Sequence, residues 1–231
     1  REFDVAVLIP HWMNRLTHNW GSWICTMTRE TFAQVQAGKH VNELGGISNA
    51  MAIRHVAAHG YYDDERTLAT VARKAMFTHT SEEALSGGEF FARVTHRVIH
   101  GMHPRDAIEL VAVQMSPFIS SKVSQSLGKY QEAIDPDTEL SQEQFVDDLA
   151  LTSMARLWDI GRSEPIRVGK ASPTEGTLPG AVYFILKYAD EEDGLKKALQ
   201  ANTMVGGDNA SSSIAIGMVL GAKKGVDAIP T

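Results

Sequence analysis

Cysteine is nearly missing from this sequence: Cys25 stands alone, so no internal disulfide can form. That excludes a small secreted scaffold held by bridges, and it makes a reducing, intracellular and cytoplasmic setting the expectation. Long apolar runs are missing too. No stretch approaches the roughly 20 residues that span a bilayer, and Arg1 to Pro10 lacks a basic region followed by an apolar one, so no membrane insertion is expected. Basic runs are also lacking: 22 Lys and Arg stand against 28 Asp and Glu, a net charge of −6, with no cluster that could track a phosphate backbone. Nucleic acid is therefore not an expected partner. No repeat of fixed period occurs, which excludes a solenoid. What is present is a chain with 43% hydrophobic and 22% charged residues, the profile of a globular protein with a sizeable core. The first residue is Arg1 rather than Met, so a fragment or processed product, with functional residues upstream, is one expectation.

Helical periodicity dominates from Thr28 onward. Phe32, Val35 and Gln36 lead to Gly38 as a C-terminal cap; Gly45-Gly46 opens a helix from Ile47 to His59 that Gly60 closes. Asp63-Asp64 caps the next, whose buried face carries Leu68, Val71, Ala72, Ala75 and Met76. Ser81 starts a helix reaching His100, with Glu82 and Glu83 in its first turn. Gly87-Gly88 inside it would cost about 1 kcal/mol each if exposed, so close packing is the reason for them. Pro104 suits the first turn of a helix to Met115, and Pro117 interrupts the pattern before Ser120 to Gln131. Ser141 to Trp158 follows with a capping box, then a polar stretch from Asp159 to Leu178 reads as a crossing or functional loop. Pro179 to Tyr188, Gly194 to Thr203 and Ser211 to Lys224 complete the pattern. The fold class expected is all-α, a compact orthogonal array of helices. Residues 28–231 form its single domain. Residues 1–27, where Pro10 stops an apolar run from Val5 to Ile9 and Trp12, Trp20 and Trp23 sit among polar residues, are expected to be irregular and incomplete.

The sharpest signal is Gly206-Gly207-Asp208-Asn209-Ala210-Ser211, followed by a helix with small residues at Ala215, Gly217 and Gly221. A Gly-Gly pair permits a tight turn, and Asp208 then stands at a helix N-terminus, where a carboxylate caps the helix or holds a cation. The segment resembles the C-terminal Gly-Gly-Asp-Thr-Asp-Thr motif of the ADP-ribosylglycohydrolases. A weaker match runs through Gly45-Gly46-Ile47-Ser48-Asn49-Ala50-Met51-Ala52-Ile53-Arg54. The resemblance implies the helical fold of that family and magnesium held by Asp208 and Ser211. It further implies an ADP-ribose-like ligand approached by Gly206, Gly207, Asn209, Ser48 and Asn49. In that family two magnesium ions, which prefer oxygen ligands, position a water for attack at the anomeric carbon. Here Ala210 takes the place of the second acid, and the family's early Thr-Asp-Asp segment does not occur. This form is similar to the J1-crystallin and selenoprotein J branch. The implication is a weak or lost magnesium site with a structural or binding role, in which a protein partner or a second copy has a place. An active magnesium-dependent hydrolase and a nucleotide-binding module are the competing readings.

Other residues have plain readings beside sharper ones. His96 and His100 are i,i+4 neighbours that could share a metal, yet they lack the glutamate of zinc proteases, and surface histidines are the ordinary case. His79 and His103 are explained by nearby helix ends. Cys25 could be activated by His11 or His18, against the plain reading of a packed thiol. The tryptophans could stack on an adenine, against core packing. Ser172 to Thr177 could line the ligand cleft, against a plain exposed connection. Asp63-Asp64 and Asp147-Asp148 are acidic pairs in capping and mid-helix contexts.

Overall fold

The structure, a computed structural model, describes residues 2–18, 23–135, 172–205 and 208–229. Among them are α1 (Val5–Thr17), α2 (Thr26–Gln36), α3 (Glu65–Ala75), α4 (Glu82–Ile99), α5 (Pro104–Ala112), α6 (Pro117–Ile134), α7 (Thr174–Tyr188), α8 (Gly194–Val205) and α9 (Asn209–Lys224), with no sheet. The expected all-α array is therefore present. Its centre is α7, in which every residue but Glu175 and Lys187 is buried. A helix apolar on all sides has to lie inside a core, and α4, α5, α6, α8 and α9 pack around it. Ser126 of α6 pins the pair by donating its hydroxyl to the Pro179 carbonyl at 2.8 Å.

Most caps fall where the sequence places them. Asp64 accepts from the Thr67 amide at 2.7 Å, Ser81 from Ala84 at 3.2 Å, and Asp208 from Ser211 at 3.1 Å. Pro104 opens a helix as expected, and Pro117, expected to interrupt the pattern, opens one as well. Three expectations fail. Residues 5–17 are not irregular: Asp4 caps α1, which continues through Pro10 because Ile9, Trp12 and Met13 pack on Leu44 and Phe77. Ala6, whose carbonyl loses its helical donor to Pro10, is exposed to water. The loop expected through Leu178 ends sooner, since α7 starts at Thr174 and carries Pro179 inside it. The expected helix from Ser141 to Trp158, Asp147-Asp148 and most of the loop after it lie outside the described residues.

The third failure matters most for the site. Ile47 to His59 is not a helix; only Val56–Gly60 forms a 3-10 turn. The segment before it runs extended, because neighbouring backbones take its hydrogen bonds. Gly46 bridges to His79, and Ala50 bridges to Pro173. The Asn49 carbonyl accepts from the Thr174 amide at 2.8 Å and from its hydroxyl at 2.6 Å. Side chains then alternate: Met51, Ile53 and His55 enter the interior, while Ser48, Ala50, Ala52 and Arg54 line a cleft. Gly45 turns the chain into this segment with φ of 86°, and a side chain there would meet the Phe77 carbonyl at 2.5 Å.

The close packing expected at Gly87 and Gly88 is found. A Cβ on Gly87 would stand 2.7 Å from the buried Thr174 methyl and 3.0 Å from the Met51 sulfur; on Gly88 it would meet the Met76 sulfur. Overpacking costs about 1–3 kcal/mol and outweighs a helix-propensity gain of about 1 kcal/mol or less. Gly87→Ala is therefore expected to lower stability by about 1–2 kcal/mol in urea unfolding. A gain in stability would show that Thr174 and Met51 yield freely.

Candidate functional site

A cleft of about 510 Å3 opens beside the core, walled by five parts of the chain. Residues before and at the start of α2 supply Trp23, Cys25, Thr26, Met27 and Thr28; the extended segment supplies Ser48, Ala50, Ala52 and Arg54. His79 follows α3, Ser172 precedes α7, and Asp208, Ala210 and Ser211 stand at the start of α9. The extended segment thus joins two regions that are distant in sequence.

The residues singled out in the sequence divide between the cleft and its supports. Asp208 and Ser211 both reach it, joined to each other: one carboxylate oxygen accepts from the Ser211 amide and the other from its hydroxyl at 3.0 Å. Ala210 also faces the cleft, and its methyl offers no ligand atom. Ser48 lines it, whereas the Asn49 side chain donates to Glu83 at 3.0 Å instead. Asn209 donates to the Thr203 carbonyl, and buried Asn202 donates to the Asn209 carbonyl and to Ser213, tying α8 to α9. Gly206, Gly207 and Trp20 lie outside the described residues. Trp12 is partly buried and packs on Phe32 and Phe77, whereas Trp23 is 86% exposed beside the cleft.

Cys25 finds neither His11 nor His18. His18 bonds the Asn14 carbonyl; the ring near the thiol is that of His79, with Nε2 3.8 Å from Sγ. His79 lies between the end of α3 and the start of α4, in the bridge to Gly46. Its Nδ1 stands 2.8 Å from the Thr78 hydroxyl, which receives a hydrogen bond from Arg54 at 2.6 Å. A guanidinium can only donate, so the Thr78 proton is free for His79 Nδ1, and the ring proton then sits on Nε2 towards Cys25. Burial, and then the Arg54 charge, push His79 down to about 4, so the ring is neutral at pH 7. Cys25 is itself the N-cap of α2, accepting from the Thr28 amide at 3.4 Å.

Sequence reasoning missed Arg54. It is the cation of the cleft, and it packs over Phe77 at 5.7 Å with Thr78 as its hydrogen-bond partner. Burial lowers its pKa, partly offset by nearby Cys25, yet a guanidinium stays charged. No carboxylate among the described residues forms an ion pair with it. A second cavity of about 410 Å3, mainly apolar with Phe3, Leu8 and Val71, lies on its other side. The signal for Arg54 was the period-two alternation from Ser48 to His55, read as helical instead.

Behind Arg54, His55 and His59 have ring nitrogens buried without partners. Burial first, then the neighbouring ring, push His55 down to about 3, and burial with His96 pushes His59 down to about 4. Each takes up its proton only on unfolding, so stability is complete above about pH 6.5 and falls as pH drops towards 4. Urea midpoints at pH 7 and pH 5 should differ in that sense, with a slope of up to about 1.4 kcal/mol per pH unit for each such histidine. His55→Phe should flatten the slope; an unchanged slope would mean that His55 is charged in the fold.

These walls can be set beside known proteins. A search of the curated proteins gives no match. The family model described as ADP-ribosylglycohydrolase matches residues 1–231, the whole chain, in keeping with the helical array and with the Asp208 motif at its cleft. The chain belongs to the ADP-ribosylglycohydrolase family.

Proposed function

We propose that the cleft binds an ADP-ribose-like ligand through Arg54 and that two-metal hydrolysis of glycosidic bonds is weak or lost in this protein. The observation that carries this reading is the donor set. Among the described lining residues there is one carboxylate, Asp208, and one guanidinium, Arg54. A magnesium pair takes oxygen ligands and needs several anionic ones to balance its charge. Asp208 has both oxygens engaged by Ser211, Ala210 supplies none, and Thr26, Met27 and Thr28 bring two hydroxyls and a thioether. These residues do not fit a magnesium pair.

They suit an anionic ligand better. A half-buried guanidinium without a carboxylate partner attracts a pyrophosphate, and its fork matches phosphate oxygens two at a time. Trp23 presents an exposed ring that can stack on an adenine. A cleft of about 510 Å3 is of the size that small-molecule sites use. The Asp208-Asn209-Ala210-Ser211 form supports a place in the J1-crystallin and selenoprotein J branch, with a binding or structural role.

Calorimetry tests the reading. ADP-ribose should bind in EDTA, and Arg54→Gln should weaken it about 10- to 100-fold, the worth of a hydrogen bond to a charged group. Magnesium alone should give no heat of binding, and Ala210→Asp should not create any, since Asp208, the one other carboxylate among the described lining residues, is already held by Ser211. Magnesium binding coupled to ADP-ribose, with hydrolysis abolished by Asp208→Asn, would establish an active hydrolase instead.

A further inference from the structure

Away from the cleft, three metal-binding side chains converge from two elements. His96 and His100 lie one turn apart near the end of α4, with ring centroids 4.2 Å apart, and Asp63 comes from the turn before α3. One ligand atom from each lies within 4.8 Å of the other two. Donors in a tetrahedral zinc site are roughly 3.4 Å apart, given bonds of about 2.0–2.1 Å, so small rotations of partly exposed side chains close the set.

The hydrogen bonds already present prepare it. His100 Nδ1 stands 2.8 Å from the His96 carbonyl, which can only accept, so Nδ1 keeps its proton. The other nitrogen, Nε2, then faces Asp63 Oδ1 at 2.9 Å. In the neutral ring this sets a lone pair against a carboxylate, an arrangement that requires a cation between them, either a proton or a metal ion. A proton on His100 satisfies only the His100–Asp63 pair and leaves His96 outside it. A divalent ion satisfies all three groups together. The other acids nearby are committed: Asp64 caps α3 through Thr67, and Glu65 receives Arg93 and Arg97.

We infer that Asp63, His96 and His100 form a binding site for one divalent transition-metal ion of the zinc class, clipping the turn before α3 to the last turns of α4. Two imidazole nitrogens and one carboxylate oxygen select borderline ions such as Zn2+, Ni2+ or Cu2+ over hard Mg2+. The pinned Nδ1–H fixes the His100 tautomer that presents Nε2, as an outer hydrogen bond does in protein metal sites. Three protein ligands leave a further position open, and with Asp63 87% exposed it faces solvent.

Zn2+ titrated into the whole chain at pH 7.5 should bind one equivalent in calorimetry, and Co2+ should give the absorption of a low-coordinate nitrogen and oxygen site. His96→Gln, His100→Gln and Asp63→Asn should each weaken Zn2+ binding by at least about 10-fold while circular dichroism stays unchanged. Absence of binding would overturn the site. So would Zn2+ binding that survives the His96→Gln, His100→Gln double variant, because it would place the ion on other histidines or on Cys25.

Discussion

The Asn49 carbonyl takes two hydrogen bonds from Thr174, and the shape of the functional region depends on that join. It holds residues 48–55 extended beside the helices. An extended segment sends successive side chains to opposite sides. Met51 and Ile53 therefore enter the core around α7, while Ala52 and Arg54 face the cleft. The same join brings α7 against α4, where Gly87 leaves room for the Thr174 methyl and the Met51 sulfur. Core packing and cleft lining are thus two faces of one short stretch.

The consequence is an unusual electrostatic balance in the cleft. Arg54 is held by Thr78 and Phe77, neither of which neutralises it. His79, kept neutral by burial and by Arg54 itself, adds no charge, and Asp208 is occupied as the cap of α9. Family membership supplies a hydrolase-like scaffold, and among the described residues lining its cleft one guanidinium, Arg54, faces one carboxylate-bearing residue, Asp208. The alanine at position 210 is informative because it faces the cleft; had it pointed elsewhere, its lack of an acid would say nothing about the site.

Much of the fold was legible because helix ends have local chemistry. Ser81, Asp64, Pro104 and Asp208 act where short-range rules place them. The Asp208 motif carried the family as well. What was not legible depended on partners far along the chain. Residues 47–55 contain enough apolar and small residues to read as a helix, and the bonds from Thr80 to Gly46 and from Thr174 to Asn49, with the bridge from Ala50 to Pro173, hold them extended. Pro10 looked like a stop and Pro179 like the start of a helix, yet packing on both helices carries them through. Arg54, the approach of His79 to Cys25 and the meeting of Asp63 with His100 are all products of tertiary structure; of that last group the sequence showed only the i,i+4 spacing of His96 and His100.

The most direct test of the account is a crystal structure of the protein with ADP-ribose, grown in EDTA. The account predicts pyrophosphate oxygens within hydrogen-bonding distance of the Arg54 guanidinium and the adenine near Trp23, with the Asp208–Ser211 pair intact. A ligand absent in EDTA but ordered in magnesium, with its ribose bridged to Asp208 by metal ions and its phosphates turned away from Arg54, would contradict it.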